Sequence, residues 1–242
     1  MKKNKKFELL NTINCEDRNS WQDKLFLTFD IDWAHDQIIE DVLQLLGQYT
    51  VPATIFATHK TKILSSCSLP KDRVEIGLHP NFNHLLLSES NEKNFSSVCS
   101  DLKEIYPNAT SVRSHSLCFG SLIQTAYKAL GITHDSSVIV PYQDNNFKLF
   151  PWKMWDGLVR VPYFFCDYVT SMTTDAPINN LASRKGLKVF DFHPIHVFLN
   201  TESLERYQRT RPFHHDPNEL RKHRFPGYGT RNRLIELLQM AK

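Results

Sequence analysis

Two carboxylates, Asp30 and Asp32, stand one residue apart at the end of the apolar run Leu25-Phe26-Leu27-Thr28-Phe29. Such a run of strand-forming residues reads as a buried strand. Alternate side chains of a strand share a face, so the two carboxylates are expected to point together at its C-terminal end. Like charges held that close repel unless a cation or a shared proton relieves them. A metal site with an adjacent base needs this arrangement; the plain alternative is a pair of solvated turn or capping aspartates. Further residues fit for ligand or acid–base chemistry occur in the same kind of place. His79 follows the run 73–78, Arg113 and His115 follow 110–112, Asp135 lies in the run 132–140, and His193 and His196 follow 187–192. A lone histidine after a strand is more often structural, but together these residues form a site.

The elements that must position them alternate in type. Strands are expected at 25–33, 53–57, 73–78, 110–113, 132–140, 158–165 and 187–192. Between them, Ile38, Ile39, Val42, Leu45, Leu46 and Tyr49 recur at helical spacing, with Asp36 as the expected cap and Gly47 near the end. Ser88 is placed to cap a helix bearing Phe95, Val98, Leu102 and Ile105, Gly131 closes a third stripe over 122–130, and a last helix starts near Thr230. Strand–helix alternation implies βα units, right-handed crossovers and a mostly parallel sheet. The fold class expected is α/β, a distorted (β/α) barrel of about seven parallel strands, whose active site lies at the C-terminal strand ends. Without a Gly/Ser/Pro-rich linker, residues 1–242 are expected to form one domain, with a motif-bearing core over 24–199 and a basic segment over 200–242 packed on the barrel. No Gly-x-Gly-x-x-Gly follows the first strand, which removes the usual sign of a dinucleotide site.

Composition excludes several classes. Hydrophobic residues are 41% and charged residues 23%, a balance that supports a packed core. A net charge of +3 does not point to nucleic acid. The five cysteines, Cys15, Cys67, Cys99, Cys118 and Cys166, are odd in number and lack Cys-x-x-Cys, against a disulfide framework or a zinc ribbon. The lysine-rich start is followed by Glu8, Asn11, Asn14 and Glu16 where a signal peptide needs an apolar stretch. No apolar run is long enough to span a membrane. A cytoplasmic location is expected.

In order, these stretches resemble the motifs of the polysaccharide deacetylase family, the NodB-homology domain of carbohydrate esterases, over roughly 24–199. Thr28-Phe29-Asp30-Ile31-Asp32 resembles the first motif, which implies Asp30 as general base and Asp32 as metal ligand. Glu75-Ile76-Gly77-Leu78-His79 resembles the strand entering the second motif, His-Ser/Thr-x-x-His. Here the chain departs, because Asn83 occupies the second histidine's place and His84 follows one residue late. Ser111-Val112-Arg113-Ser114-His115 resembles the third motif, Arg-x-Pro-x-Gly, with His115 where proline is usual. His134-Asp135-Ser136-Ser137 is similar to a Tyr-Asp-Ser-Ser found in several members. Phe190-Asp191-Phe192-His193-Pro194 resembles the fifth motif, whose histidine is the general acid. The wording His-Pro-Asn-Phe, Arg-Ser-His and Phe-His-Pro-Ile-His is similar to the WbmS-like branch, which accompanies bacterial surface-polysaccharide genes.

The resemblance implies a metal-dependent hydrolase that removes an N-acyl group, acetyl in the first instance, from an amino sugar. The metal is expected on Asp32, His79 and either His115 or His84, with zinc the best suited and cobalt, nickel or iron able to use the same ligands. His115 is favoured because it lies two residues beyond Arg113 and so shares its strand face. Arg113 is expected to orient Asp30 through a charge-assisted bond, and a backbone N–H near His115 to donate to the oxyanion. Asp135, Asp167 and His196 are expected around the substrate, with Asp135 or Asp167 steadying Arg113 or a histidine. His196 is the fallback acid. Because of the altered second motif, the competing reading is an impaired deacetylase-like barrel that binds a glycan or a protein. A metal phosphoesterase fits less well, since one carboxylate ligand does not make a two-metal cluster. The segment from Arg206 to Arg233 carries eight arginines and lysines, a solvated face in the plain reading. In the sharper reading, Arg231 and the N-terminus of the last helix hold phosphates of a nucleotide- or lipid-linked substrate.

Overall fold

The computed structural model describes residues 6–65, 72–87, 94–140, 148–169 and 176–241. Among the described residues ten strands form one sheet: β1 (Lys6–Glu8), β2 (Lys24–Asp30), β3 (Ala53–Ala57), β4 (Val74–Leu78), β5 (Ser111–Val112), β6 (His134–Asp135), β7 (Trp152–Lys153), β8 (Val159–Arg160), β9 (Phe165–Cys166) and β10 (Val189–Phe192). Their order is β7-β8-β6-β5-β4-β3-β2-β10-β9, with β1 added to β2. Every pair is parallel except β7 with β8. The sheet is curled, and among the described residues no ladder joins β9 to β7. The helices are α1 (Asp36–Tyr49), α2 (Lys62–Ser65), α3 (Asn83–Leu87), α4 (Phe95–Ile105), α5 (Ser121–Ala129), α6 (Ile178–Ala182), α7 (Pro194–Leu199), α8 (Leu204–Thr210), α9 (Pro217–Lys222) and α10 (Thr230–Leu238).

Strand β2 lies inside the sheet between β3 and β10, and six of its seven residues are buried, which requires cover on both faces. The rings of Phe29, Phe165, Phe190 and Phe192 pack on one another beside it. On the outside, α1 buries Ile38, Ile39, Val42, Leu43, Leu45 and Leu46. Its cap is His35, whose side chain accepts from the N–H of Gln37, so Asp36 is the first helical residue. Gly47 lies inside the helix, and Thr50 closes it in the left-handed region at φ 53°. Asn94 and Ser97 form a capping box at the start of α4; Ser88 lies outside the described residues.

Three strands are shorter than their apolar runs. The side chain of Asp135 accepts from the N–H of Ser137 at 2.8 Å, a turn that ends β6. β8 ends at Arg160, and Pro162, which lacks a ladder donor, stands two residues further on. β5 stops at Val112, and Arg113 turns its side chain into the barrel. At the C-terminal end, α10 packs against α7, α6 and α1. Gly229 permits that approach, because a Cβ there would lie 2.1 Å from the carbonyl oxygen of Asn200.

Candidate active site

The chain leaves β2 at Asp30 and turns back, with Asp32 and Trp33 in the left-handed region at φ 38° and 56°. The two aspartates therefore meet through a tight turn and not through strand alternation. Ala34 donates to the carbonyl of Ile31 at 2.7 Å, and the N–H of Trp33 donates to Thr58 Oγ1 at 3.1 Å. Two left-handed non-glycine residues in sequence cost about 1–3 kcal/mol each, a strain typical of functional sites.

Three histidine side chains, His79, His115 and His193, converge on Asp32. His79, directly after β4, donates from Nδ1 to the carbonyl of Arg113 at 2.6 Å, which leaves Nε2 as the ring nitrogen that faces the cluster. Nε2 lies 3.2 Å from Asp32 Oδ1 and 3.7 Å from Asp30 Oδ2. His115 starts a short 3-10 turn, and its Nδ1 lies 3.3 Å from Asp32 Oδ1 and 3.4 Å from His79 Nε2. Strand alternation does not bring it there, since β5 ends at Val112; its N–H donates to the carbonyl of Pro80 at 2.9 Å, and that bond places it. The same bond removes the His115 N–H as an oxyanion donor. His84 is exposed on α3 and lies outside the cluster.

These atoms suit a divalent ion. The Oδ1 of Asp32 is buried and has no hydrogen-bond partner. Donors at tetrahedral angles around zinc, at its ordinary bond lengths, stand roughly 3.3–3.5 Å apart, close to the spacings found. Burial opposes the charge on Asp32, but the nearness of His115 and His79 and the charge of His193 hold its carboxyl well below the ordinary range. Two other clusters share His193 and suit a cation less well. One includes Cys166, whose thiol burial pushes far up, away from the thiolate a metal needs. If the cluster holds a divalent ion, His115→Ala is expected to weaken its binding by roughly a hundredfold or more, beyond the effect of losing an outer partner, whereas His84→Ala retains it. Metal analysis of both purified variants checks this; loss of zinc in His84→Ala alone would reverse the choice.

Asp30 is buried and held from behind. Arg113, fully buried, donates from Nη1 to Asp30 Oδ1 at 2.9 Å, to Thr28 Oγ1 at 2.9 Å and to Asp191 Oδ1. Its Nε donates to the carbonyl of Ser136 and its Nη2 to Ser136 Oγ, while the rings of Phe56 and Tyr163 lie over the guanidinium. Sequence reasoning missed Asp191. Its signal was a charge inside an apolar strand, two residues before His193 and so on the same face. Burial pushes its carboxyl up to about 7; Arg113 opposes the shift and Asp30 adds to it.

On the other side, Asp167 grips His193 twice. It accepts from the His193 N–H at 2.8 Å and from Nδ1 at 2.7 Å, leaving Nε2 3.6 Å from Asp32 Oδ2. Burial disfavours the imidazolium, but the Asp167 carboxylate outweighs it and raises the His193 pKa well above the ordinary value. His196 also lines the cleft, with Nδ1 3.1 Å from Thr201 Oγ1; burial pushes its pKa down to about 4, so it is neutral near pH 7.

Three expected substrate contacts are elsewhere, Asp167 being spent on His193 and absent from the cleft lining. Asp135 is fully buried and paired with Arg160 at 2.5 Å; it shapes the Ser136–Ser137 turn behind Arg113 and does not reach the cleft. Arg231 is ion-paired with Asp41 on α1. The α10 N-terminus serves the fold, since Thr230 donates to the carbonyl of Thr201 and the N–H of Arg231 to Asn200 Oδ1. The phosphate site expected there is filled by the chain itself.

The resulting cleft, of about 550 Å³, has Asp30, Asp32, His79, His115 and His193 at its floor. The family model for WbmS-like polysaccharide deacetylases matches residues 27–211. A crystal structure of a candidate polysaccharide deacetylase involved in O-antigen biosynthesis, WbmS of Bordetella bronchiseptica, superposes with a TM-score of 0.91 at 36% identity over 98% of each chain. More distant are a family 4 carbohydrate esterase from Streptomyces lividans solved with acetate (TM-score 0.48, 10% identity, 89% and 87% covered) and a candidate polysaccharide deacetylase from Mycobacterium smegmatis (0.47, 15%, 79% and 78%). No curated protein matches the chain. The expected distorted, mostly parallel (β/α) barrel is present, and the matched segment runs from inside β2 past every residue of the cleft floor; the chain belongs to the WbmS-like family of polysaccharide deacetylases.

Proposed function

We propose that this deacetylase is a divalent-metal hydrolase, zinc being the best-suited ion, that removes an N-acetyl group from an amino sugar in bacterial surface-polysaccharide synthesis. The observation that carries this reading is the unpartnered Asp32 Oδ1 facing the His79 Nε2 and the His115 Nδ1, between a carboxylate tied to arginine and a histidine tied to aspartate. When bound, the ion would polarise the amide carbonyl and acidify the attacking water. Asp30 has Oδ1 committed to Arg113, so Oδ2 is the oxygen left to take the proton of that water. Arg113 holds Asp30 by a charge-assisted bond that fixes its direction. As the carbon–nitrogen bond breaks, His193 gives the Nε2 proton to the departing amine, and Asp167 stabilises the imidazolium beforehand. His196, neutral, is the poorer donor.

The departure in the second motif favoured an impaired binding barrel. Against that reading stands His115, which brings a third donor to Asp32 and His79 although the second motif lacks its second histidine. Wild-type protein purified without chelators is expected to carry about one divalent ion and to release acetate from N-acetylated amino sugars until a chelator is added. Protein with neither metal nor acetate release would be the binding barrel. Asp30→Asn, isosteric and unable to take a proton, should retain the ion and lose roughly a hundredfold in turnover. Unchanged turnover would remove Asp30 from the chemistry. Cys15, Cys99, Cys118 and Cys166 are free thiols, in keeping with the reducing cytoplasm proposed as its location. No helix among the described residues is long and apolar enough to cross a membrane.

A further inference from the structure

The arginine-rich segment does reach the cleft, but through Arg211. Leu204, Tyr207, Gln208 and Arg211 follow helical i, i+3, i+4, i+7 spacing along and just beyond α8, and all four line the cleft wall. The Tyr207 ring lies 4.7 Å from that of His196, which lies 5.6 Å from that of His193, so α8 is tied to the catalytic floor. Arg211 stands about one helical turn beyond Tyr207.

Four other arginines of the segment are committed. Arg206 pairs with Glu202, Arg224 donates to the carbonyl of Phe198, Arg231 pairs with Asp41, and Arg221 lies over the ring of Phe198. Arg211 is exposed, and among the described residues its side chain has no ion pair or hydrogen bond. It is also the one lysine or arginine among the described residues lining the cleft. Asp30 and Asp191 are spent on Arg113 and Asp32 faces His79 and His115, so among the described residues Arg211 is the cation of the cleft left free for a negative group on the substrate while the acetamido group sits over the floor.

We propose that Arg211 is a specificity-determining residue that binds an anionic substituent of the amino sugar, a carboxylate or a phosphate, at the rim of the cleft. The inference rests on the deacetylase reading. It is tested by calorimetry on zinc-loaded protein in the Asp30→Asn background, so that bound sugar is not consumed. The probes are N-acetylglucosamine, its 1-phosphate and the corresponding N-acetyl uronic acid. One charged sugar is expected to bind at least about tenfold more tightly than the neutral one, the scale of a hydrogen bond to a charged group, and Arg211→Gln to bring that ratio to about one. Arg211→Lys should keep part of the preference. The favoured sugar identifies the source of the anion: the phosphate for a phosphate-linked substrate, the uronate for an acidic ring. Equal or unmeasurable affinities for all three, or a preference that survives Arg211→Gln, would overturn the site. Acetate release by protein with Asp30 intact scores the deacetylase reading separately. Release without charge preference defeats the anion site alone, and charge preference without release defeats the deacetylase reading alone.

Discussion

Asp32→Ala is expected to purify without a divalent ion and to turn over at least about a thousandfold more slowly than wild type. Lewis-acid stabilisation by a bound ion is worth several kcal/mol, and each 1.36 kcal/mol is a factor of ten in rate. Asp32 supplies the only carboxylate of the three-residue cluster, and its Oδ1 faces both imidazoles at 3.2 and 3.3 Å. Without it, two imidazoles remain, too few donors to hold zinc against water. Because Asp32 sits at φ 38°, alanine adds backbone strain that aspartate tolerates better. Asp32→Asn keeps the turn and should also lose the ion, which separates ligand loss from a distorted turn. Metal analysis and acetate release of both variants decide the matter; stoichiometric zinc in both would remove Asp32 from the ligand set.

Much of this architecture is legible in the residues, and the failures share a cause. Apolar periodicity says which side of an element faces the core, so strand–helix alternation led to the barrel and the polar residues fell at its mouth. It does not say what a polar side chain will meet. Asp135 carries the same strand-end signature as the cleft residues, yet Arg160, distant in sequence, turns it into a structural pair. Arg231 precedes a helix with every mark of an anion site, and Asp41 claims it. His115 was favoured over His84 by an argument from strand alternation; a bond to Pro80 and a left-handed turn at Ser116 and Leu117 place it instead. Asp191 went unnoticed because a single acid inside Phe190-Asp191-Phe192 has no periodic signal. Only the three-dimensional partner, a buried guanidinium, shows why it is there.

That guanidinium carries the largest stability effect expected in the molecule. Arg113→Met keeps the length and apolar bulk that pack between Phe56 and Tyr163, but it leaves Asp30 and Asp191 buried without their cation. Breaking a buried pair by removing one partner costs about 3–5 kcal/mol, which for a chain of this size lowers Tm by roughly 10 °C. The loss should depend on pH in a definite direction. The Asp191 carboxyl already has its pKa raised to about 7 in the folded state, above its value of 3.8 in an ordinary setting, and losing Arg113 raises it further. Between those values the folded chain binds more protons than the unfolded one, so this contribution to stability is present at low pH and is lost as pH rises through the folded pKa. The Arg113→Met deficit, read from urea unfolding, should therefore be smaller at pH 5 than at pH 8. Adding Asp191→Asn, which removes one of the stranded charges, should recover part of it. A deficit that is the same at both pH values and unmoved by Asp191→Asn would mean that the cost comes from lost packing and hydrogen bonds, and that Arg113 is not there to neutralise the two carboxylates.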